Sequence, residues 1–436
     1  MYKKNLFLIL FSVIIFISYI LGFTINENSI GSGGYNGDLK WIWGNFEIFK
    51  NQSLISSIKS ENFFGNRTPL LYILNIYLNP FLYDVDTYRF SIFIFSILGQ
   101  IMFFLCIKKK YENLNIGIII LLSSIILLSP FYRTSAYWGL EIQYGIITSL
   151  ISFYFLFKTK RIENISYLNI FLTVLFSSAA VYFDYKLVLV PLLAFFKILL
   201  TKTSVEKKIF TTFFYLLSAI PLIYLIIFWG GLVPKISQYA NPLQGTQIST
   251  FKVHLVNLLF TTNILGFYLF PFLILKKNFL TDLKRIPNLF NGFLTSLFIL
   301  YLIYFINFDL YSYTDIITKE FGGYKDLYGL GYSNKISNII FEERIYSLIF
   351  NAIIYVFSFI IIILTINSKL INLLVVSFFY LLSLIIFPLM QEYFDPYIFI
   401  IGILIFNNEY DFSFLKCSSV LLYFLIFLLS SYYFYL

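Results

Sequence analysis

The sequence predicts an all-α polytopic membrane protein, with about 12–13 transmembrane helices and a large first outer loop carrying juxtamembrane amphipathic helices. Three observations predict it. Of 436 residues, 59% are hydrophobic and only 12% are charged, against about 25% charged in soluble domains. Mean hydropathy is +0.82. The apolar residues gather into continuous runs near the ~20 residues that cross a bilayer as helix, without the alternation that a membrane β-barrel needs. Phe and Tyr are abundant, 54 and 36 residues, and with the Ile, Asn and Lys richness part of that reads as the mark of an AT-rich genome rather than of function.

The first apolar run, roughly 5–23, follows Lys3 and Lys4 and reads as an uncleaved span rather than a signal peptide, since no small-residue cleavage site follows closely. A polar segment comes next. Residues 69–82 are apolar but short and flanked by prolines, so they read as an interfacial or re-entrant helix closing a first outer loop over 24–82. Further spans are expected near 87–107, 115–132, 140–157, 165–182, 185–201, 209–229, 253–275, 291–308, 345–366, 370–389, 396–408 and 413–434. The whole of 1–436 reads as a single transmembrane domain, with no soluble domain.

Charge orients the bundle. With these spans, one side holds 18 Lys/Arg and six acids, in turns such as KKKYEN at 108–113 and KTKR at 158–161. The other side holds 13 Lys/Arg and 16 acids. The positive-inside rule puts the first side, and the N-terminus, in the cytoplasm. The overall charge of +9 is an orientation signal and points to no nucleic acid partner. Trp41, Trp43, Trp138 and Trp229 all fall on the outer side, as do the longest polar segments, 24–68, 230–252 and 309–344. Whatever chemistry the chain performs is expected there. Two cysteines, Cys106 and Cys417, make no disulfide framework, and the single His254 disfavours a histidine-based metal site or a Ser-His-Asp triad.

Asp38 follows the glycines Gly31, Gly33, Gly34 and Gly37. Beyond it Leu39, Ile42, Trp43, Phe46 and Phe49 recur at helical spacing, with Lys40, Asn45, Glu47 and Lys50 off that face, as in an amphipathic helix on a membrane surface. Asp38 then reads as a helix cap or as a general base at the membrane boundary. Arg67 precedes a helix that Thr68 could cap; it is a headgroup-level arginine or a phosphate ligand, which its planar donor fork suits. Arg133 and Glu141 lie at the outer ends of consecutive spans and read as a buried pair with each other or as site residues. Asp184 and Lys186 mark another outer end, with a snorkelling lysine as the plain alternative. Glu392 and Asp395 lie between the last spans, where a turn at Asp395-Pro396 accounts for them equally. The Gly- and Tyr-rich loop 309–344 ends in Glu342-Glu343-Arg344 and reads as a lid or a passive loop.

The order of these features resembles the GT-C superfamily of polyprenyl-phosphate-dependent glycosyltransferases, to which protein O-mannosyltransferases and lipid A aminoarabinose transferases belong. GGYNGDLKW (33–41) looks like the acid-bearing first loop, RTPLLYIL (67–74) like an Arg-Pro-Pro-Leu segment, and Tyr88-Arg89-Phe90 like the Arg-Leu opening of the next span. TSAYWGLEIQYGI (134–146) is similar to the loop that carries a second acid, Asp184-Tyr185-Lys186 to the lysine-bearing start of a later span, and EYFDPYIF (392–399) to a late aromatic-Pro segment. The match covers most of 1–200 and that late segment. It lacks the adjacent Asp-Glu pair of many members, and Thr68 stands where they have proline.

The resemblance implies an inverting hexosyl- or pentosyltransferase of the cell envelope. It would sit in a bacterial inner (plasma) membrane with its active site facing the periplasm. The donor would be a polyprenyl-phosphate-linked sugar, and the acceptor an envelope glycan, lipid or protein. Asp38 would be the base; Arg67, Arg133, Lys186 and Arg344 would hold the donor phosphate; Glu141, Asp184, Glu392 and Asp395 would bind the sugar or acceptor. No cofactor is called for with certainty, and a divalent metal, Mg or Mn, at Asp38 with Glu141 stays open. Two other readings remain: an O-antigen-type polysaccharide polymerase, and a lipid-linked sugar flippase or transporter.

Overall fold

The computed structural model describes residues 2–27, 35–65, 67–159, 162–234, 237, 257–277, 291–300, 331–341, 343–366, 369–386, 389–406 and 408–435. Among them every regular element is helical; the single β-type pairing is an isolated bridge between Lys276 and Tyr410. Six helices are long and apolar enough to span a bilayer, or seven if one bent pair counts as a span. The chain is an all-α, multi-pass membrane protein. Several expected spans are shorter than a full crossing. Glu141–Phe157 and Tyr167–Phe183 have 17 residues each, hence about 25 Å of rise against a hydrocarbon core of about 30 Å. The expected span 185–201 is a 3-10 turn followed by an 11-residue helix, and 396–408 contains an eight-residue helix.

Contacts group the chain into two compact units: Met1–Thr250 with Phe427–Leu436, and Phe251–Ile426. In the first, α1 is Tyr2–Thr24, α2 Lys40–Asn51, α3 Leu54–Lys59 and α4 Leu70–Leu78. Then come α5 Val85–Lys110, α6 Ile116–Ser124, α7 Pro130–Tyr137 and α8 Glu141–Phe157. α9 Tyr167–Phe183, α10 Leu189–Leu199 and α11 Val205–Trp229 complete the run.

Local chemistry sets these boundaries. Asp84 accepts from the backbone of Asp86 and Thr87 at 2.9 Å each while Thr87 Oγ1 answers the Asp84 N–H at 3.3 Å, a reciprocal cap for α5. The helix closes on Lys108, Lys109 and Lys110, which complement the negative end of its dipole. Beyond α6, a 3-10 turn at Ile125–Leu128 runs into Ser129, whose hydroxyl accepts from Tyr132 N at 2.9 Å, and into Pro130 at the first position of α7. The chain bends by 69° there, so this is a broken or re-entrant span. Gly139, at φ +70°, carries the turn from α7 into α8; a side chain there would strain the backbone and strike the Tyr88 ring. Tyr88 in turn donates to Gly139 O at 2.6 Å.

The core of this unit lies between α5, α8 and α9. Gly145 lets α8 approach the Ala180 carbonyl and Leu187. A second, aromatic core joins α1 to α5 and α7: Phe23 stacks on Phe93 at 4.4 Å, and Tyr137 donates to Tyr19 O at 2.6 Å. α11 is the opposite case: Ile209, Phe213, Leu216, Ile220 and Ile227 are all exposed, as lipid-facing side chains are.

In the second unit, α12 (Asn257–Leu275) is largely buried. α13 (Asn291–Leu300), α14 (Gly331–Ile340), α15 (Arg344–Ile366), α16 (Leu370–Ile385) and α17 (Tyr397–Leu404) follow. α18, Phe414–Tyr435, begins in this unit, and its last turns belong to the first.

Candidate functional site

The segment that follows α1 supplies the scaffold of the site. Ile42, Phe46 and Phe49 of α2 are buried, as the period predicted, and so is Leu39. Phe46 packs edge-on to Tyr72 and Tyr88, and Phe49 stacks on Tyr72 at 5.3 Å. A fully buried Phe contributes about 1.5–3 kcal/mol, so α2 is held to α4 and α5 rather than lying loose on the membrane. Asn45 corrects the reading that placed it on the polar face. It is buried; its amide nitrogen donates to Phe64 O and, at 2.9 Å, to the Tyr72 hydroxyl, and its oxygen accepts from Phe64 N at 3.2 Å. The loop at Phe64 demands those hydrogen bonds, so a buried amide sits among aromatic rings.

Asp38 does not cap α2. Leu39 holds the N-cap position with no side-chain hydrogen bond, and Asp38 lies half-buried in the π-type turn Tyr35–Leu39 ahead of it, kinked at Gly37. Gly31, Gly33 and Gly34 lie outside the described residues.

Arg67, Asp184 and Lys186 come together. Thr68 donates to Tyr182 O at the end of α9, which brings Arg67 Nε to 3.2 Å from Asp184 Oδ2. Lys186 Nζ stands 3.5 Å from the same oxygen, while the Lys186 N–H donates to Asp184 Oδ1 at 3.0 Å. The Asp184 side chain is 2% exposed, that of Arg67 22% and that of Lys186 16%. Burial pushes the Asp184 carboxyl up, but the Arg67 and Lys186 charges and the backbone N–H outweigh it and hold the carboxyl below its ordinary value. Thr68 is not the cap of α4, whose N-cap is Pro69, although its hydroxyl accepts weakly from Leu70 N at 3.4 Å.

Glu141 opens α8, half-buried, with its charge acting on Tyr72 and Tyr88. Arg67 acts on Tyr72 too, so one phenol is sensed by both groups. Tyr144 stacks on Phe183 at 5.1 Å and donates to Asn75 Oδ1 at 2.9 Å, tying α8, α9 and α4 around this cluster.

Arg133 has a different partner from the one the sequence suggested. It is fully buried on α7 and binds Glu27, not Glu141: Nε lies 3.0 Å from both carboxylate oxygens, and Nη2 is 2.7 Å from Oε2. Nη2 also lies 2.8 Å from Ser18 O and 2.9 Å from the Tyr432 hydroxyl, and Nη1 donates to Leu127 O at 3.2 Å. Gly22 leaves room for this pair, because a methyl there would collide with Glu27, Arg133 and Tyr137. Trp138 Nε1 donates to Glu27 O at 3.0 Å, and Arg89 reaches Asn26 Oδ1 at 2.8 Å. The exit of α1 is thus held by three partners, Arg89, Arg133 and Trp138, at two consecutive residues, Asn26 and Glu27. Glu27 was visible in the sequence as a lone acid just past the first span.

Glu392 and Asp395 belong to the second unit. Asp395 is buried and hydrogen-bonds Tyr268, which also accepts from Gln391 Nε2 at 3.1 Å. Glu392 faces Lys335 of α14, a lysine 8% exposed. Burial pushes its amine down to about 8, and Glu392 counters only part of that. Lys335 was not singled out from sequence; its place on the buried stripe of α14 with Asn334 and Ser337 was the available signal. The side chain of Arg344, residues 309–330 and 342 of the late loop, and the end of the expected span 291–308 from 301 onward lie outside the described residues. Among the described residues no three metal-ligating side chains converge.

Comparison with known proteins adds no relative: no family model matches the chain, and no curated protein and no solved structure matches it.

Proposed function

We propose that the protein is a membrane glycosyltransferase of the GT-C type, moving a sugar from a polyprenyl-phosphate donor to a cell-envelope acceptor on the outer face of a bacterial plasma membrane. The observation that carries this reading is the Arg67–Asp184–Lys186 cluster: two partly exposed cations held by one buried carboxylate at a helix end. Such a pair is preset to receive a phosphate, because Asp184 fixes both cations before the ligand arrives and little reorganisation remains. The turn Tyr35–Leu39 ahead of the docked helix α2 holds Asp38, a base on the same unit.

In this mechanism Asp38 takes the proton from an acceptor hydroxyl. The oxygen forms its bond to the anomeric carbon as the bond to the phosphate oxygen breaks. Polyprenyl phosphate leaves with the electron pair, and Arg67 and Lys186 balance the charge that develops on it. One displacement inverts the anomeric centre. Arg133 takes no part, since its donors are committed to Glu27 and its neighbours.

The test uses purified protein, a panel of radiolabelled polyprenyl-phosphate sugars and envelope extract as acceptor. Transfer by the wild type, reduced at least ~10²-fold in Asp38→Asn and in Arg67→Ala with folding intact, supports the reading. Equal transfer by Asp38→Asn removes Asp38 from the chemistry. A second reading, a lipid-linked sugar transporter, is favoured by the 69° break at Ser129-Pro130, since transporters build sites on broken helices. Donor that crosses liposome leaflets unchanged, with no sugar released, would establish it instead.

A further inference from the structure

The turn from α4 into α5 presents an apolar surface that the proposed transfer does not use. Tyr77, Leu78, Phe81 and Tyr83 are all exposed there, Leu78 by 72%. No charged residue occurs between Arg67 and Asp84, and the exposed Asp84 and Asp86 end that run. The sequence alone leaves 69–82 interfacial or re-entrant; the hydrogen bonds of Asn79 choose between the two. Its amide nitrogen donates to Asn75 Oδ1 and to Ser91 Oγ, each at 2.9 Å, and its oxygen accepts from Phe81 N at 3.0 Å. Ser91 donates onward to Tyr88 O at 2.7 Å, and Asn75 Oδ1 also accepts from Tyr144. A turn in water can leave its amide to solvent. This one satisfies Asn79 within the protein, as a polar group in hydrocarbon requires.

The same bonds set a depth. α5 is one of the helices long and apolar enough to span a bilayer. Ser91 lies seven residues past its Asp84 cap, about 10 Å along the helix. With the charged cap at the water boundary, Asn79 is drawn down beside the second turn of the span. Half of the hydrocarbon core is about 15 Å, so the turn stays within one leaflet. Phe90 and Ile94 of α5 are exposed on either side of Ser91 in sequence, and they continue the apolar surface of the turn into the lipid-facing side of the span.

We propose that residues 77–83 form a re-entrant tip seated in the lipid leaflet at the N-terminal end of α5, with Leu78 and Phe81 covered by acyl chains and the Tyr83 phenol at headgroup level, where amphipathic rings settle. Arg67 stands before the opposite end of α4, whose nine residues extend about 13 Å. The tip and the Arg67 cluster therefore ride on one short element, and seating the tip fixes how far that cluster stands from the membrane. The inference is independent of the glycosyl-transfer reading, since it concerns only what covers the tip.

The experiment uses the full-length protein with Cys106→Ser and Cys417→Ser, reconstituted in phosphatidylcholine nanodiscs. Single cysteines are introduced by Leu78→Cys, Phe81→Cys, Asp86→Cys and, as a mid-span reference on α11, Leu216→Cys, and each is labelled with the environment-sensitive fluorophore NBD. All four positions are exposed, so no variant empties the core. The labels at 78 and 81 are expected to emit blue-shifted, to lose most of their emission to lipid spin-labelled near the headgroup end of its acyl chain, and to ignore aqueous iodide. The label at 86 should be quenched by iodide, and that at 216 most strongly by lipid spin-labelled near the chain terminus. Iodide quenching at 78 and 81 equal to that at 86 overturns the proposal. Protection from iodide without quenching by either lipid means that protein covers the tip, a second copy or another partner, and overturns the lipid assignment. Quenching at 78 and 81 strongest from the chain-terminal label overturns the depth.

Discussion

Replacing Glu27 by glutamine leaves Arg133 charged, fully buried and without its counter-ion. At 2.7–3.0 Å and an effective dielectric near 20, the attraction between the two charges is about 6 kcal/mol. Desolvation of both ions offsets most of it, so the intact pair adds little net stability, while removing one partner costs about 3–5 kcal/mol. Glu27→Gln is therefore expected to lose about 3–5 kcal/mol, and Glu27→Gln/Arg133→Met to recover all but about 1–2 kcal/mol, because a buried charge is no longer stranded. The assay is unfolding by SDS titration in mixed micelles, run as a double-mutant cycle. It is followed by the fluorescence of Trp138, whose indole binds the Glu27 carbonyl. A single-variant loss under about 1 kcal/mol, or a double variant whose loss is the sum of the two singles, would refute the reasoning.

Two further predictions concern pH. The Asp184 carboxyl is lowered in the folded protein, so its contribution to stability is complete above the ordinary carboxylate value and is lost as pH falls below about 4; Asp184→Asn should flatten that acid limb, and an unchanged limb in the variant counts against the cluster. Lys335 is shifted the other way for a base: with a folded value of about 8 against an unfolded 10.5, the unfolded chain binds the extra proton between them. Stability of the second unit should therefore rise by about 3 kcal/mol from pH 8 to pH 10.5. Hydrogen exchange over Gly331–Ile340 reads this directly; Lys335→Met should abolish the rise, and a wild-type profile with no rise contradicts the burial argument.

Hydropathy is a local sum, and what depends on local sums was legible. The membrane class, the long spans such as Val85–Lys110 and Val205–Trp229, and the buried stripe of α2 at Leu39, Ile42, Phe46 and Phe49 follow from run length and helical period. Boundaries of the shorter helices were less so: apolar residues continue through 185–201, yet the chain spends the first four of that stretch in a 3-10 turn. Proximity in sequence suggested Arg133 with Glu141, but α7 turns Arg133 inward to the exit of α1, where Glu27 waits. Asn45 looked like a surface residue because a polar side chain on an amphipathic helix usually is one.

The sequence by itself determined that this chain lives in a bilayer, where apolar runs have no other solvent, and which polar residues stand at the ends of those runs. Only the tertiary structure decided which of them meet. Arg67 reaches Asp184 because Thr68 anchors α4 to the end of α9, and Arg133 is withdrawn because a buried guanidinium binds the nearest carboxylate its packing allows. A buried charge must find its partner in space, and no local pattern in the chain encodes that distance.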